Sequence, residues 1–89
     1  MPIDIIYCDR ILNENQEIVN YYTENHKDVD YYIGNFDLEM LKELVKVIII
    51  NLDNEEMIAY SKTKLKKQLI AMLLAIKESE NTKEVNYSK

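Results

Sequence analysis

Two side chains with reactive chemistry, Cys8 and His26, occur once each in the chain. A nucleophilic thiol requires a base within hydrogen-bonding reach and a third group that orients this base. No local motif surrounds either residue, and an unmodified cysteine is usually a small buried apolar residue. The single glycine of the chain excludes a glycine-rich loop that cradles phosphates. We therefore expect no catalytic residue and no enzymatic activity.

An imidazole and two carboxylates alternate at His26, Asp28 and Asp30. If this segment is extended, the three side chains share one face and resemble a set of metal ligands. A solvated turn that leads into a strand explains the same residues more simply. The acidic cluster Asp53–Glu56 is explained by the start of a helix. The sequence therefore predicts no metal ion and no cofactor.

The basic residues are unevenly distributed along the chain. Residues 1–56 contain thirteen acids and four bases, whereas residues 57–77 contain five lysines and no acid. Ion pairs within one molecule are the simpler interpretation of this asymmetry, and a charged partner is the other. Four of the lysines form the candidate nucleic-acid contact: Lys62, Lys64, Lys66 and Lys67. Nucleic-acid binding is the second hypothesis, because the chain is acidic overall and the cluster contains no arginine.

A helix is predicted over residues 38–52, where apolar residues recur at 3.6-residue spacing on one broad face. Asp37 is a suitable N-cap for this helix. Asp53 and Glu56 resemble a capping box, and they predict that a second helix runs from about Asn54 to Ser79. The two helices would form an αα-hairpin with a very short loop.

The first third of the chain is ambiguous between strands and helices. Apolar residues mirror one another around Glu14, and Val19–Tyr22 is echoed ten residues later by Val29–Tyr32. These patterns favour a three-stranded meander that ends at Gly34. The alternative is a helix over residues 14–25, capped by Asn13.

The predicted fold class is therefore α+β, with an irregular or three-stranded antiparallel N-terminal part followed by a long αα-hairpin. A mainly α fold is the alternative. We expect one small domain over residues 1–79 and a flexible C-terminal tail over residues 80–89. With one cysteine, no visible secretory signal and no apolar stretch long enough to span a bilayer, we expect a cytoplasmic protein without membrane contact.

Excess apolar surface on the helices is the strongest functional indication in the sequence. Leu69–Ile76 is apolar on every side, and Met40, Val47 and Ile50 lie behind the main stripe of the first helix. A small sheet could not cover both helices, so the pattern predicts a homodimer formed through the C-terminal helices. Tyrosine is also common in binding surfaces. The expected function is a non-enzymatic protein-interaction module (a regulator, inhibitor or adaptor) with these contact residues: Tyr60, Ile70, Leu73, Leu74, Tyr21 and Tyr31.

Overall fold

The computed structural model describes the backbone of residues 5–87 and the side chains of residues 8–81. Within this range the chain folds into five α-helices without a strand: α1 (Ile5–Glu14), α2 (Gln16–Glu24), α3 (Lys27–Asn35), α4 (Leu38–Leu52) and α5 (Ala59–Tyr87). Helix α5 contacts each of the other four, most extensively α4. The protein is therefore an all-α domain arranged around its C-terminal helix.

The prediction of an α+β fold was wrong, and the mainly α alternative describes the structure. The apolar residues of the first third match a helical period as well as a strand period. Cys8 and Leu12 are four residues apart and buried, and Ile18 and Tyr22 repeat this spacing on α2. Side chains four residues apart lie on one face of a helix. Each short helix therefore has one apolar face that packs against the core.

Asparagine side chains close the ends of the three short helices. Asn15 Nδ2 donates to the carbonyl of Ile11 at 2.7 Å. Asn25 does the same to the carbonyl of Tyr21 at 3.0 Å, and Asn35 to that of Tyr31 at 2.8 Å. The last carbonyls of a helix have few backbone partners, and the asparagine amides add hydrogen bonds at these ends. The carbonyl of Tyr21 also accepts from the backbone N–H of Asn25 at 2.9 Å.

The ten-residue echo in the sequence is thus a repeat of short helices, with asparagine at the same position of each unit. Gly34 lies inside α3 and does not end an element. No described residue has a positive φ angle, so the chain turns between these helices without a left-handed residue. The sequence prediction placed a turn near Glu14, close to the observed break between α1 and α2, but it assigned strands on either side of this turn.

Helix α4 confirms the prediction for residues 38–52 at both ends. Asp37 precedes it in an extended conformation, and its carboxylate accepts a hydrogen bond from the backbone N–H of Met40 at 2.7 Å. Leu41, Val45 and Ile48 form its buried face. This is the N-cap geometry that the sequence predicts.

The predicted cap at Asp53 was wrong, and so was the predicted start of the second helix. Asp53 continues the last turn of α4, since its N–H donates to the carbonyls of Ile49 and Ile50 at 3.3 and 3.2 Å. A residue in this helical conformation cannot adopt the extended geometry of an N-cap. Asn54 turns the chain instead, because its side-chain oxygen accepts from the N–H of Glu56. Helix α5 begins at Ala59.

The apolar segment Leu69–Ile76 lies in the centre of the molecule. All of its residues are buried except Leu74, which is half-buried. Helices α1 to α4 surround α5 and supply the cover that we expected from a second copy. The helix continues beyond residue 79 as far as Tyr87, so the predicted tail has a helical backbone up to that residue, and its flexibility stays a prediction.

Candidate interaction surfaces

The structure divides the predicted contact residues into two groups. Ile70 and Leu73 are fully buried within a single copy, and Leu74 is half-buried. Tyr60 is more than half exposed. The two buried residues belong to the core and offer no surface to a partner.

The other two tyrosines are also more than half exposed, but they lie on different helices. Tyr21 of α2 contacts the ring of Tyr22 edge to face, with centroids 5.2 Å apart. Tyr31 of α3 contacts the rings of Tyr32 and Phe36. Tyr21 therefore borders the buried ring of Tyr22, and Tyr31 borders the half-buried rings of Tyr32 and Phe36.

An apolar surface that was not among the predicted contact residues lies on α4. Met40, Val47 and Ile50 are each at least half exposed, and Ile50 reaches 71%. At 3.6 residues per turn they fall on one side of the helix, away from the buried Leu41 and Val45. We call Met40, Val47 and Ile50 the outer face of α4. The sequence signal was their position behind the main apolar stripe, from which we predicted a homodimer without including these three residues among its contacts.

The four lysines of the candidate nucleic-acid contact lie in the first turns of α5. None of them forms an ion pair with any side chain that the structure describes. The Nζ atom of Lys64 lies over the ring of Tyr60, 5.1 Å from its centroid, which is a cation–π geometry. Of the lysines in residues 57–77, Lys77 alone pairs with a described acid, Asp9 of α1, at 2.6 Å. Within the described part of the chain, ion pairs in one molecule therefore account for Lys77 but not for these four lysines.

Charged residues that follow the buried segment of α5 connect it to three other parts of the fold. Lys77 pairs with Asp9 of α1, and Glu80 pairs with Lys42 of α4 at 3.5 Å. Glu78 reaches His26, which precedes α3. These pairs are partly exposed, so each contributes modestly to stability, but together they fix the position at which α5 leaves the core.

His26 lies between two carboxylates and is not arranged as a metal ligand. Its Nδ1 atom is 2.8 Å from Asp30 Oδ1, and its Nε2 atom is 2.6 Å from Glu78 Oε2. The hydrogen bond to Asp30 is the largest cause that raises the pKa of His26, and Glu78 acts in the same direction. No group of three potential metal ligands occurs among the described residues. The charged imidazole can donate to both carboxylates at once.

Cys8 is buried on the inner face of α1, next to the same core as Leu12. This position is the one that the sequence analysis expects for a structural cysteine.

Comparison of the chain with models of known protein families, with curated proteins and with solved structures finds no match. Among the described helices, none is both long enough and apolar enough to cross a membrane. Any inference about function therefore rests on the fold and its surfaces. They define a small helical domain with an apolar outer face on α4 and a basic end of α5 whose four lysines pair with no acid in the described part of the chain.

Proposed function

We propose that the protein is a small, non-enzymatic protein-interaction module that pairs with a second copy of itself through the outer face of α4. The observation that carries this proposal is the exposure of Met40, Val47 and Ile50 on one side of a helix whose other side forms the core. Exposed apolar residues that share a face are typical of protein interfaces. The proposal moves the contact away from α5, whose apolar segment is buried in its own chain.

Charge supports a second copy as the occupant of this face. Helix α4 contains two glutamates and two lysines and is therefore neutral, whereas residues 5–35 carry six acids and two bases. Two copies that meet through the acidic N-terminal helices would repel each other, and two copies that meet through α4 would not. In an antiparallel pair of α4 helices, Glu43 of each copy can lie beside Lys46 of the other, on both sides of the twofold axis.

Light scattering coupled to size exclusion tests the proposal over a range of protein concentrations. The monomer has a mass of 10.6 kDa, and we expect the wild type to reach twice this mass. Val47→Glu should yield a folded monomer. Ile58→Glu, which changes an exposed apolar residue outside α4, should leave the dimer intact. A wild type that stays monomeric at high micromolar concentration overturns the proposal, and so does a dimer that only Ile58→Glu disrupts.

Charge reversal on α4 tests the arrangement of the pair. Glu43→Lys alone and Lys46→Glu alone should each weaken the dimer, while the double variant should restore it. The same ion pair exists within one chain at 3.3 Å on an exposed surface, so circular dichroism must show that the single variants remain folded. Single variants that dimerise as tightly as the wild type rule out the antiparallel contact.

A second candidate function is nucleic-acid binding through the four lysines of α5, and it is favoured because these lysines form no ion pair with the described acids. Fluorescence anisotropy with a labelled single-stranded oligonucleotide at increasing salt concentration tests it, because phosphate contacts make affinity fall steeply with salt. Lys64→Gln with Lys67→Gln should reduce binding, whereas Lys27→Gln should not. Absence of binding at low salt removes this candidate.

A further inference from the structure

A pocket of about 320 Å³ lies where α2, α3 and α5 meet. Three of its side chains are aromatic, one is a carboxylate and the remaining two come from α5: Tyr22, Tyr31, Tyr32, Asp28, Gln68 and Ala71. Small-molecule sites are roughly 300–1,000 Å³ in volume, so this pocket suits a small ligand or a single side chain. It is separate from the outer face of α4.

The aromatic rings form walls at different angles. The rings of Tyr31 and Tyr32 are 5.5 Å apart between centroids and inclined at 77° to each other. Tyr22 is buried, Tyr32 is half-buried and Tyr31 is more than half exposed. Rings that meet nearly at a right angle can present their electron-rich faces to one occupant, and the exposed ring leaves the pocket open to solvent.

Among the described residues that line the pocket, Asp28 alone carries a formal charge. No basic side chain of the described part of the chain forms an ion pair with it, although Asp9, Asp30 and Glu78 all have such partners. Burial raises the pKa of Tyr22 and of Tyr32, and the nearby Asp28 carboxylate raises each further. The phenols therefore stay neutral at pH 7, and the pocket carries one negative charge close to two of its rings.

We propose that this pocket binds an alkylated ammonium group, held by the faces of Tyr22, Tyr31 and Tyr32 and neutralised by the Asp28 carboxylate. Aromatic rings grouped around a cation are a known means of recognising quaternary ammonium groups, and a carboxylate adds Coulomb attraction. An anion is disfavoured by Asp28, and a neutral apolar ligand gains nothing from it. The group can belong to a free small cation or to a trimethylated lysine of a protein chain.

Two lysines modulate the electrostatics from outside the pocket. Lys64 and Lys67 lie one helical turn before Gln68 and Ala71 on α5, and residues four apart on a helix are neighbours. The Nζ atom of Lys64 lies over the ring of Tyr60 and not in the lining of the pocket. Both positive charges oppose a bound cation. Removal of Lys67 should therefore strengthen the binding of an ammonium group and weaken the binding of a phosphate-bearing ligand.

The test is a titration of the full chain with choline, followed by the NMR signals of carbon-labelled tyrosine rings. We expect saturable shifts of the Tyr31 and Tyr32 signals. The neutral isostere 3,3-dimethylbutan-1-ol should bind at least about fivefold more weakly, as the loss of one Coulomb contact implies. Equal affinity for the alcohol and for choline overturns the proposal.

Variants locate the site. Asp28→Asn should lower choline affinity about five- to tenfold, and Tyr31→Leu about three- to tenfold. Both side chains are exposed, so circular dichroism should show an unchanged fold. Two matched controls, Asp30→Asn and Tyr21→Leu, alter an acid and an exposed tyrosine that do not line the pocket, and they should leave the affinity unchanged. Loss of affinity in the controls but not in Asp28→Asn contradicts the assignment.

Two further probes identify the ligand. A peptide with trimethyl-lysine that binds more tightly than choline supports a modified protein as the source, and a peptide that binds no more tightly supports a free cation. Guanosine monophosphate tests the competing interpretation, in which the rings stack on a base. Tighter binding of this nucleotide than of choline, with a loss in Lys67→Gln, overturns the ammonium proposal.

Discussion

The three short helices α1 to α3 and the two long helices α4 and α5 are stabilised in different ways. Helix α4 has a broad apolar face and a side-chain N-cap at Asp37, and both are visible in the sequence. The short helices have only 9 or 10 residues each, fewer than isolated helices need for stability in water. They rely on asparagine side chains at their ends and on contact with α5. The N-terminal half therefore depends on the C-terminal half for its structure.

The largest expected effect comes from a change in α5, the helix that contacts all four others. Leu73→Ala on α5 should lower the free energy of unfolding by about 2–5 kcal/mol, because it leaves a cavity in place of a fully buried side chain. Val47→Ala, on the outer face of α4, should change it by less than about 0.5 kcal/mol in the monomer. Denaturant melts of both variants give these values.

The same melts test whether the halves unfold together. Five of the seven tyrosines lie in residues 7–32, so tyrosine fluorescence reports mainly on the N-terminal half, while circular dichroism reports on all helices. Because α1 to α3 pack on α5, the two signals should change at the same denaturant concentration. Two separate transitions would contradict the dependence of one half on the other.

A pair of aspartates tests the ends of α4. Asp37→Ala should lower stability by about 0.5–2 kcal/mol, because the N–H of Met40 loses its partner. Asp53→Ala should have little effect, since its carboxylate forms no hydrogen bond or ion pair with the described residues. Thermal melts measure both changes. Equal losses in the two variants would restore Asp53 as the cap of the second helix.

The asparagines that end the short helices should contribute less. Asn25→Ala and Asn35→Ala each remove one exposed hydrogen bond to a helix carbonyl, and we expect a loss of about 0.5–1 kcal/mol from each. Asn20, an exposed residue within α2, is the matched control, and its change to alanine should be neutral or slightly stabilising. If both variants behave like Asn20→Ala in chemical denaturation, the amides do not stabilise these ends.

A substitution at Gly34 should raise the stability of the protein instead of lowering it. It lies in the last turn of α3, its φ angle is not positive, and a Cβ atom at this position would meet nothing within 4 Å. Gly34→Ala should therefore raise stability by about 0.4–1 kcal/mol, chiefly because it restricts the unfolded chain. A loss of stability in urea melts would show that α3 does not adopt a regular helix here.

The smallest expected effect is the pH dependence of the stability that His26 contributes through Asp30 and Glu78. The pKa of His26 is raised in the folded protein by Asp30 and Glu78, so its contribution is complete below pH 6.5 and is lost as the pH rises through the folded pKa. His26→Gln should thus be less stable than the wild type at pH 5.5, with a smaller difference at pH 8.5. Melts at both pH values measure it. A difference that does not change with pH would show that the imidazole is not held in its charged form.

The sequence alone determined helix α4, which ends just before Asp53. The 3.6-residue period of α4 and the cap at Asp37 are local features, and local features can be read from neighbouring residues. The central position of Leu69–Ile76 could be predicted only in part from the sequence. Its uniform hydrophobicity predicts burial, but the identity of the covering surface depends on contacts that are distant along the chain.

Only the tertiary structure decided the N-terminal half and the surfaces. A short run such as Ile18–Tyr22 fits both a strand and a helix, and packing against α5 selects the helix. Likewise, Asp28 joins Tyr22 and Gln68 in one pocket because three helices meet there, and no spacing in the sequence predicts this. Asp53 shows the same limit at the other end of α4. Asp53 and Glu56 have the spacing of a capping box, but the backbone of Asp53 continues α4. The chain turns at Asn54 before α5 begins at Ala59.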